Sequence, residues 1–219
     1  MDSPGDPALQ WQMADRPVTA DAALQHLLEG NGRFIRGEPR FASICKEKLA
    51  DLAHAQRPYA TIVGCSDSRV APELVFDAGL GELFVIRVAG NVISPEVMGS
   101  VQYAAVHLQT PLFVVLGHEG CGAVSAALDA IHRGAQERSK IQRLLEGIIP
   151  GLREIRADLA PDEALQRGVE ANVRWSMRQL LATPEAQARA AEGRMRLVGA
   201  VYEIATGRVR LLADDSAHR

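Results

Sequence analysis

Hydrophobic residues follow two patterns along the chain. Three short runs, over 59–64, 83–88 and 112–117, are apolar at nearly every position and rich in Val and Ile. Such runs are typical of strands that are buried on both faces of a parallel sheet. Between and after them, apolar residues recur at helical spacing. Strands that alternate with helices predict βαβ crossovers, so we predict an α/β fold with a central, mainly parallel sheet flanked by helices.

The helices are predicted from apolar spacing and from capping residues. Leu24, Leu27 and Leu28 share one face of a first helix over 21–36, which Thr19 or Asp21 can cap. A Ser94-Pro95 pair opens a helix ending near Leu108. Further helices are predicted over 46–55, 121–133, 138–158 and 162–182. The tail predicts a C-terminal strand extension, two strands around a turn at Thr206-Gly207.

Residues 1–18 differ from the rest of the chain, because they hold three prolines and show little periodicity. Trp11 and Met13 are apolar exceptions there, and we expect them either to pack on their own subunit or to dock on a partner chain. No repeat and no long linker divides the remainder. We therefore predict an N-terminal arm over 1–18 and one domain over 19–219.

Charge and cysteine content exclude several classes of protein. The 219 residues include 24 basic and 27 acidic ones, a net charge of -3, which disfavours nucleic acid and anionic membranes as partners. Neither a signal-peptide core nor an apolar stretch of the ~18 residues that span a bilayer is visible, so we expect a cytoplasmic, soluble protein. Three cysteines are too few for a secreted disulfide framework and suggest metal binding or catalysis.

Polar segments directly follow the three predicted strands, at 65–69, 90–91 and 117–122. The carboxyl ends of parallel strands converge on one crevice, which is the usual ligand site of open α/β sheets. Cys65, His118 and Cys121 would meet there, and two thiolates with one imidazole suit tetrahedral Zn²⁺. Three protein ligands leave a fourth position open, as in catalytic zinc sites.

Asp67 and Arg69 extend this prediction. Two thiolates cancel the formal charge of Zn²⁺, so a bound water needs help to ionise near neutrality. Asp67 can accept the proton of that water or act as a conditional fourth ligand, and Arg69 can hold Asp67 bidentately. We assign no role in the site to Cys45 or to the five other histidines, which are His26, His54, His107, His132 and His218.

At these residues the sequence resembles the β-class carbonic anhydrases. The segments 65–69 and 118–122 match the two zinc-site motifs of that family, and 81–91 is similar to the block between them. The segment 198–207 looks like the family's closing strands, and the resemblance extends from about residue 21 to 212.

The resemblance implies reversible hydration of carbon dioxide to bicarbonate and a proton by zinc-bound hydroxide, with Cys65, His118 and Cys121 as ligands. In the family, Asp67 alternates between zinc and Arg69. An apolar substrate pocket is implied for Gln56, Phe84, Tyr103 and the Gly122 amide. Family members are dimers or larger oligomers with interfacial sites, so a homodimer or homotetramer is expected in which Gln56 and Tyr103 serve a neighbouring zinc.

Three positions depart from the family pattern. Ile62 replaces the Trp of an inhibitory bicarbonate site, which puts that regulation in doubt, while Val88 replaces a common Asn and Glu119 a common Ser or Thr. We interpret Glu119 as variation in a solvent-facing turn. Two alternatives stay open: a hydrolase of carbonyl sulfide or carbon disulfide with the same site, and a non-enzymatic structural zinc or redox dithiol.

Overall fold

The computed structural model describes residues 19–40, 49 and 52–213. Its strands are β1 Ala60–Gly64, β2 Leu83–Arg87, β3 Leu112–His118, β4 Arg196–Tyr202 and β5 Val209–Leu211. Its α-helices are α1 Ala20–Arg36, α2 Pro72–Val75, α3 Pro95–Tyr103, α4 Gly122–Arg133, α5 Ser139–Leu152, α6 Pro161–Leu181 and α7 Pro184–Ala191. A 3-10 turn (Ala89–Asn91) follows β2, and a π-helical turn (Ala104–Leu108) follows α3.

One sheet with the order β2-β1-β3-β4-β5 forms the centre of the molecule. The first four strands of that order run parallel, and β5 pairs antiparallel with β4. This confirms the predicted α/β class and the closing pair of strands. Because β1, β2 and β3 are parallel neighbours, the segments that leave their carboxyl ends emerge side by side at one edge of the sheet.

Hydrophobic side chains fill the space on both faces of the sheet. All residues of β1 and β3 are buried, as the continuous apolar runs predict. Val63, Phe113 and Val115 belong to the cluster beneath α4, α5 and α6, whereas Ile62 and Val114 belong to the cluster beneath α1. Among the described residues, no helix is long and apolar enough to cross a membrane.

Most of the predicted helices are confirmed, with shifted ends. Thr19 caps α1, its side chain accepting a hydrogen bond from the Ala22 amide, and Ser94 caps α3. The helix predicted over 138–158 ends at Leu152, and Pro161 opens the next helix because a proline fits the first turn. Helix α7 was not expected from the sequence. The predicted arm over 1–18 and half of the predicted helix over 46–55 lie outside the described residues.

Candidate metal centre

Three buried side chains meet at the carboxyl edge of the sheet. Cys65 directly follows β1, His118 ends β3, and Cys121 is the N-cap residue of α4 rather than a residue of its first turn. The register Gly64↔Leu116 places the ends of the two strands side by side. The ligand atoms of the three residues all lie within 4.8 Å of one another. The structure therefore brings together the three residues that the sequence predicts as zinc ligands.

The two sulfur atoms of this group compete for one proton. A hydrogen bond from Cys121, supported by His118 and the Gly90 amide, lowers the pKa of Cys65 to about 4. The nearby Cys65 sulfur and burial raise the pKa of Cys121 well above its usual range. The Gly90 N–H lies 3.3 Å from the Cys65 sulfur. A dication stabilises both sulfurs as thiolates and so resolves this competition.

His118 presents one ring nitrogen to the sulfur atoms. Its Nδ1–H donates to the Glu119 carbonyl oxygen at 2.9 Å, because a carbonyl can only accept. This leaves the lone pair on Nε2, a buried atom that has no hydrogen-bond partner among the described residues. Burial lowers the pKa of His118, but the adjacent Cys65 sulfur outweighs it and the net shift is upward. A buried, unpaired imidazole nitrogen beside two sulfurs fits Zn²⁺.

Asp67 borders this group and is paired with Arg69. The Arg69 Nε and Nη2 atoms donate to the two carboxylate oxygens at 2.9 and 2.7 Å, and the Arg69 amide donates at 2.9 Å. These bonds hold the pKa of Asp67 well below its usual range. Oδ2 of Asp67 lies 3.8 Å from Nε2 of His118. A charged carboxylate therefore stands at the edge of the ligand group with its orientation set by an arginine.

Arg87, at the end of β2, fixes the loop that carries Cys65 and Asp67. Its Nε donates to the Cys65 carbonyl at 2.9 Å, and its Nη2 donates to the Asp67 carbonyl at 2.6 Å. The sequence pattern assigns no role to Arg87. A signal was nevertheless available, because Arg87 ends a predicted strand at the edge where the site forms and pairs in register with Gly64.

Two buried polar residues of α6 hold the turn that follows β2. Asn172 donates to the Gly90 carbonyl at 2.8 Å. Ser176 donates to the Asn91 carbonyl at 3.1 Å and accepts a hydrogen bond from the Asn91 side chain at 3.1 Å. These bonds position the Gly90 amide that faces the Cys65 sulfur. The sequence gives no sign that Asn172 and Ser176 are buried, because polar residues on the solvent-facing side of a helix look the same in it.

The residues predicted to line the substrate pocket are more exposed to solvent than Cys65, His118 and Cys121. The rings of Phe84 and Tyr103 stack with their centroids 6.2 Å apart. Tyr103 nevertheless exposes 48% of its surface, and Gln56 is exposed, so neither side chain is enclosed by its own chain. Gly122 opens α4 directly after Cys121.

Glu119 is exposed, as expected for a residue in a solvent-facing turn. Its carboxylate also accepts a hydrogen bond from the Ile204 amide at 3.1 Å. The Glu119 amide donates to the Tyr202 carbonyl at 3.0 Å. Glu119 therefore ties the turn between His118 and Cys121 to the end of β4.

The fold and the site together define an α/β zinc enzyme whose metal site lies at the carboxyl edge of a parallel sheet. The sequence profile of the family described as carbonic anhydrase matches residues 60–209. A relative named carbonic anhydrase 2, from Mycobacterium tuberculosis, is 43% identical over 192 residues, which cover 87% of this chain and 91% of the relative.

Solved structures agree with these sequence matches. A Coccomyxa β-carbonic anhydrase in complex with acetazolamide is 31% identical, with a TM-score of 0.67 over 76% of this chain and 77% of that one. One of two tetrameric β-carbonic anhydrases from Sordaria macrospora is 25% identical, with a TM-score of 0.68 over 89% and 96% of the two chains. The chain belongs to the β-class carbonic anhydrase family. It is a zinc lyase, as the sequence predicts.

Proposed function

We propose that this chain catalyses the reversible hydration of carbon dioxide to bicarbonate and a proton, with Cys65, His118 and Cys121 holding the zinc. The observation that carries the proposal is the buried group of two sulfurs and one unpaired imidazole nitrogen within 4.8 Å, in a chain of this family. When bound, zinc supplies Lewis-acid chemistry that acidifies water and provides a nucleophile at neutral pH.

Asp67 and Arg69 prepare the water for attack. The Asp67 carboxylate, charged and beside the ligand group, accepts a hydrogen bond from the attacking water and orients it. Arg69 keeps both carboxylate oxygens in one plane through its two parallel bonds. Asp67 serves as a fourth zinc ligand only when this pair opens.

The substrate side of the site is apolar. Phe84 and Tyr103 form a stacked wall that excludes water from carbon dioxide, and Gln56 closes the pocket. The Gly122 amide, at the start of α4, donates to an oxygen of bicarbonate. The contribution of Phe84 and Tyr103 is to shape the pocket and to keep water out of it.

The enzyme works as a homodimer or homotetramer. Tyr103, which stacks on Phe84 of the edge strand β2, and Val106 are exposed to 48% and 53%, and they present apolar surface that a second subunit would cover. The relatives from Sordaria macrospora are described as tetrameric. In this assembly Gln56 and Tyr103 of one subunit complete the pocket at the neighbouring zinc.

The cytoplasm is the compartment in which we place the enzyme, because a reducing environment keeps Cys65 and Cys121 available as thiolates. No observation favours a hydrolase of carbonyl sulfide or carbon disulfide, or a non-enzymatic dithiol, over the hydratase. Relatives of this chain that cover most of its length are named carbonic anhydrases.

Stopped-flow carbon dioxide hydration with Cys65→Ser and Cys45→Ser variants tests the proposal. We expect Cys65→Ser to lose zinc and at least about 100-fold in kcat/KM, because a hydroxyl is a much poorer zinc ligand than a thiolate. Cys45→Ser, which alters the cysteine to which we assign no role in the site, should keep both properties. Parent-level activity and zinc content in Cys65→Ser would contradict the proposed ligand set.

A further inference from the structure

Three buried polar side chains form a small cluster behind the turn that follows β2. Asn91, Asn172 and Ser176 expose only 1%, 2% and 1% of their surfaces. Asn172 and Ser176 lie four residues apart in sequence, so they share one face of α6. Burying a polar side chain is unfavourable unless its hydrogen bonds are formed, whereas an apolar residue would fill the same space without that penalty. The hydrogen bonds of the cluster therefore indicate what it does.

The cluster holds a stretch of backbone that is unfavourable on its own. Gly90 has φ +65° and Asn91 has φ +44°, so two consecutive residues adopt the left-handed region. A residue with a Cβ atom, such as Asn91, rarely adopts this conformation unless its surroundings impose it. Here the Gly90 carbonyl accepts a hydrogen bond from Asn172, and the Asn91 carbonyl accepts one from Ser176. The Asn91 side chain donates in turn to the Ser176 hydroxyl.

These bonds determine the position of the Gly90 amide. The peptide group between Gly90 and Asn91 is held at both ends. Its N–H donates to the Val88 carbonyl at 3.0 Å, and its C=O accepts from Asn172 at 2.8 Å. The Gly90 N–H, in the preceding peptide group, lies 3.3 Å from the Cys65 sulfur. Because the two peptide groups are neighbours, movement of the held one changes the contact between this N–H and the sulfur.

The second sulfur of the ligand group receives its donors in a different way. The amides of Ala123 and Val124 face the Cys121 sulfur from the first turn of α4. The regular geometry of a helix N-terminus holds such amides in place. The Gly90 amide belongs to a single 3-10 turn with left-handed residues, so its position depends on contacts from elsewhere in the fold.

We propose that Asn172 and Ser176 are positioning residues for the zinc ligand Cys65 and act through the Gly90 amide. The inference rests on the proposed function, in which Cys65 binds zinc. A hydrogen bond from a backbone amide stabilises a thiolate and reduces the negative charge that the sulfur donates to a metal. Since two thiolates cancel the charge of Zn²⁺, a donor that withdraws charge from one of them favours the acidification of a bound water.

Cobalt substitution of the full chain tests the proposal. Co²⁺ in the zinc site reports on its sulfur ligands through an absorption band in which charge moves from sulfur to metal. Ser176→Ala and Asn172→Leu remove the hydrogen bonds and nearly keep the side-chain volume. We expect both to shift this band to longer wavelength, because a thiolate that loses a donor releases charge more easily. Zinc affinity, measured by competition with a chelator, should fall about 10-fold.

Thr110→Val is the matched control. It removes a buried hydrogen bond between the hydroxyls of Thr61 and Thr110, which lie 2.8 Å apart. This pair lies near the first residues of β1 and β3, whereas the metal centre lies at their carboxyl ends. The control should lower the stability in urea unfolding, as Ser176→Ala does, but leave the band and the zinc affinity unchanged.

If Asn172→Leu does not fold, Ser176→Ala decides the test, because it removes a single oxygen atom. A band and a zinc affinity at parent values in folded Ser176→Ala would overturn the proposal, and so would an equal shift in Thr110→Val. A parent chain without the sulfur-to-cobalt band would instead contradict Cys65 and Cys121 as metal ligands. That result separates failure of the ligand set from failure of the positioning role.

Discussion

The ion pair of Asp67 with Arg69 can be compared with a second pair of the same geometry on the protein surface. Arg156 and Asp158 form the same arrangement of two parallel bonds with two-residue spacing, but in a fully exposed position. Exposed pairs of this kind contribute little to stability. The pair at Asp67 differs because its carboxylate stands 3.8 Å from a buried imidazole of the ligand group. We therefore expect substitution of Asp67 to change the catalytic rate rather than the stability of the fold.

For Asp67→Asn we expect a fall of about 10- to 100-fold in kcat for carbon dioxide hydration. The neutral amide lacks the negative charge with which the carboxylate orients the water. Zinc content should stay near the parent level, since Asp67 is paired with Arg69. Stopped-flow assays with metal analysis measure both quantities. Asp158→Asn is the control and should change neither; an equal effect of the two substitutions would contradict the role of Asp67.

His26 makes stability depend on pH. It is 7% exposed, and burial, with Arg40 and Arg33 nearby, lowers its pKa from 6.5 to about 4. Glu29 and Asp77 act in the opposite direction, and the edge of the Tyr59 ring packs against the imidazole. The folded state thus resists protonation that the unfolded chain accepts, so stability is complete above pH 6.5 and falls as the pH drops towards 4.

The expected loss between pH 7 and 4.5 is about 2 kcal/mol in the free energy of unfolding, at about 1.4 kcal/mol per pKa unit with a discount for partial solvation. Urea unfolding of the parent and of His26→Gln at both pH values measures it. The glutamine variant should lose less stability than the parent by this amount. His107→Gln, at an exposed position, should behave like the parent; identical slopes for all three chains would refute the assignment to His26.

Among the elements, the turn after β2 combines an unusual backbone with close packing. Gly90 has φ +65°, and a Cβ atom there would meet Ile148 Cδ1 at 2.6 Å and Ala123 Cβ at 3.0 Å. Gly134, at the end of α4, has φ +66° and nothing within 4 Å of such a Cβ. The two glycines thus share the backbone conformation and differ in their surroundings.

Gly134→Ala should cost about 1 kcal/mol in the free energy of unfolding, from backbone strain alone. Gly90→Ala should cost about 2–4 kcal/mol, because overpacking adds to the strain. It should also weaken zinc binding. The turn must shift to make room for the Cβ atom, and the shift moves the backbone amide that donates to the Cys65 sulfur. Urea unfolding and competition with a zinc chelator measure the two effects. Equal costs for the two alanines would show that packing at Gly90 is unimportant.

Strands were more predictable than helix ends. Runs over 59–64, 83–88 and 112–117 became β1, β2 and β3 within one residue, because continuous burial leaves a strong apolar signal. The helix predicted to reach residue 158 stops at Leu152, and α7 was missed. Helix ends depend on local caps and on packing against neighbours, which a periodicity does not contain.

For the assembled enzyme, mixing two inactive variants tests whether subunits share their sites. Cys65→Ser should disable zinc binding, and Tyr103→Ala should disable the pocket that Tyr103 is proposed to complete in the neighbour. A mixed dimer should hold one intact site, made from the zinc ligands of the Tyr103→Ala subunit and the pocket of the Cys65→Ser subunit. Random 1:1 pairing would restore about a quarter of the parent carbon dioxide hydration activity.

Cys65→Ser mixed with Asp67→Asn is the matched control, because both substitutions damage the zinc side of their own subunit. That mixture should show no gain over the average of its components. If the Cys65→Ser and Tyr103→Ala mixture shows no gain either, Tyr103 serves the zinc of its own chain.

The order of residues along the chain alone was enough to predict the α/β class, the meeting of Cys65, His118 and Cys121, and the Asp67–Arg69 pair. Residues that directly follow buried strands can be recognised as one site from the sequence, because the carboxyl ends of parallel strands lie at the same edge of the sheet. Contacts between distant segments were not visible. The contacts of Arg87 with the Cys65 loop, and those of Asn172 and Ser176 with the turn at Gly90, depend on strand register and helix packing, which bring together side chains that no sequence motif marks.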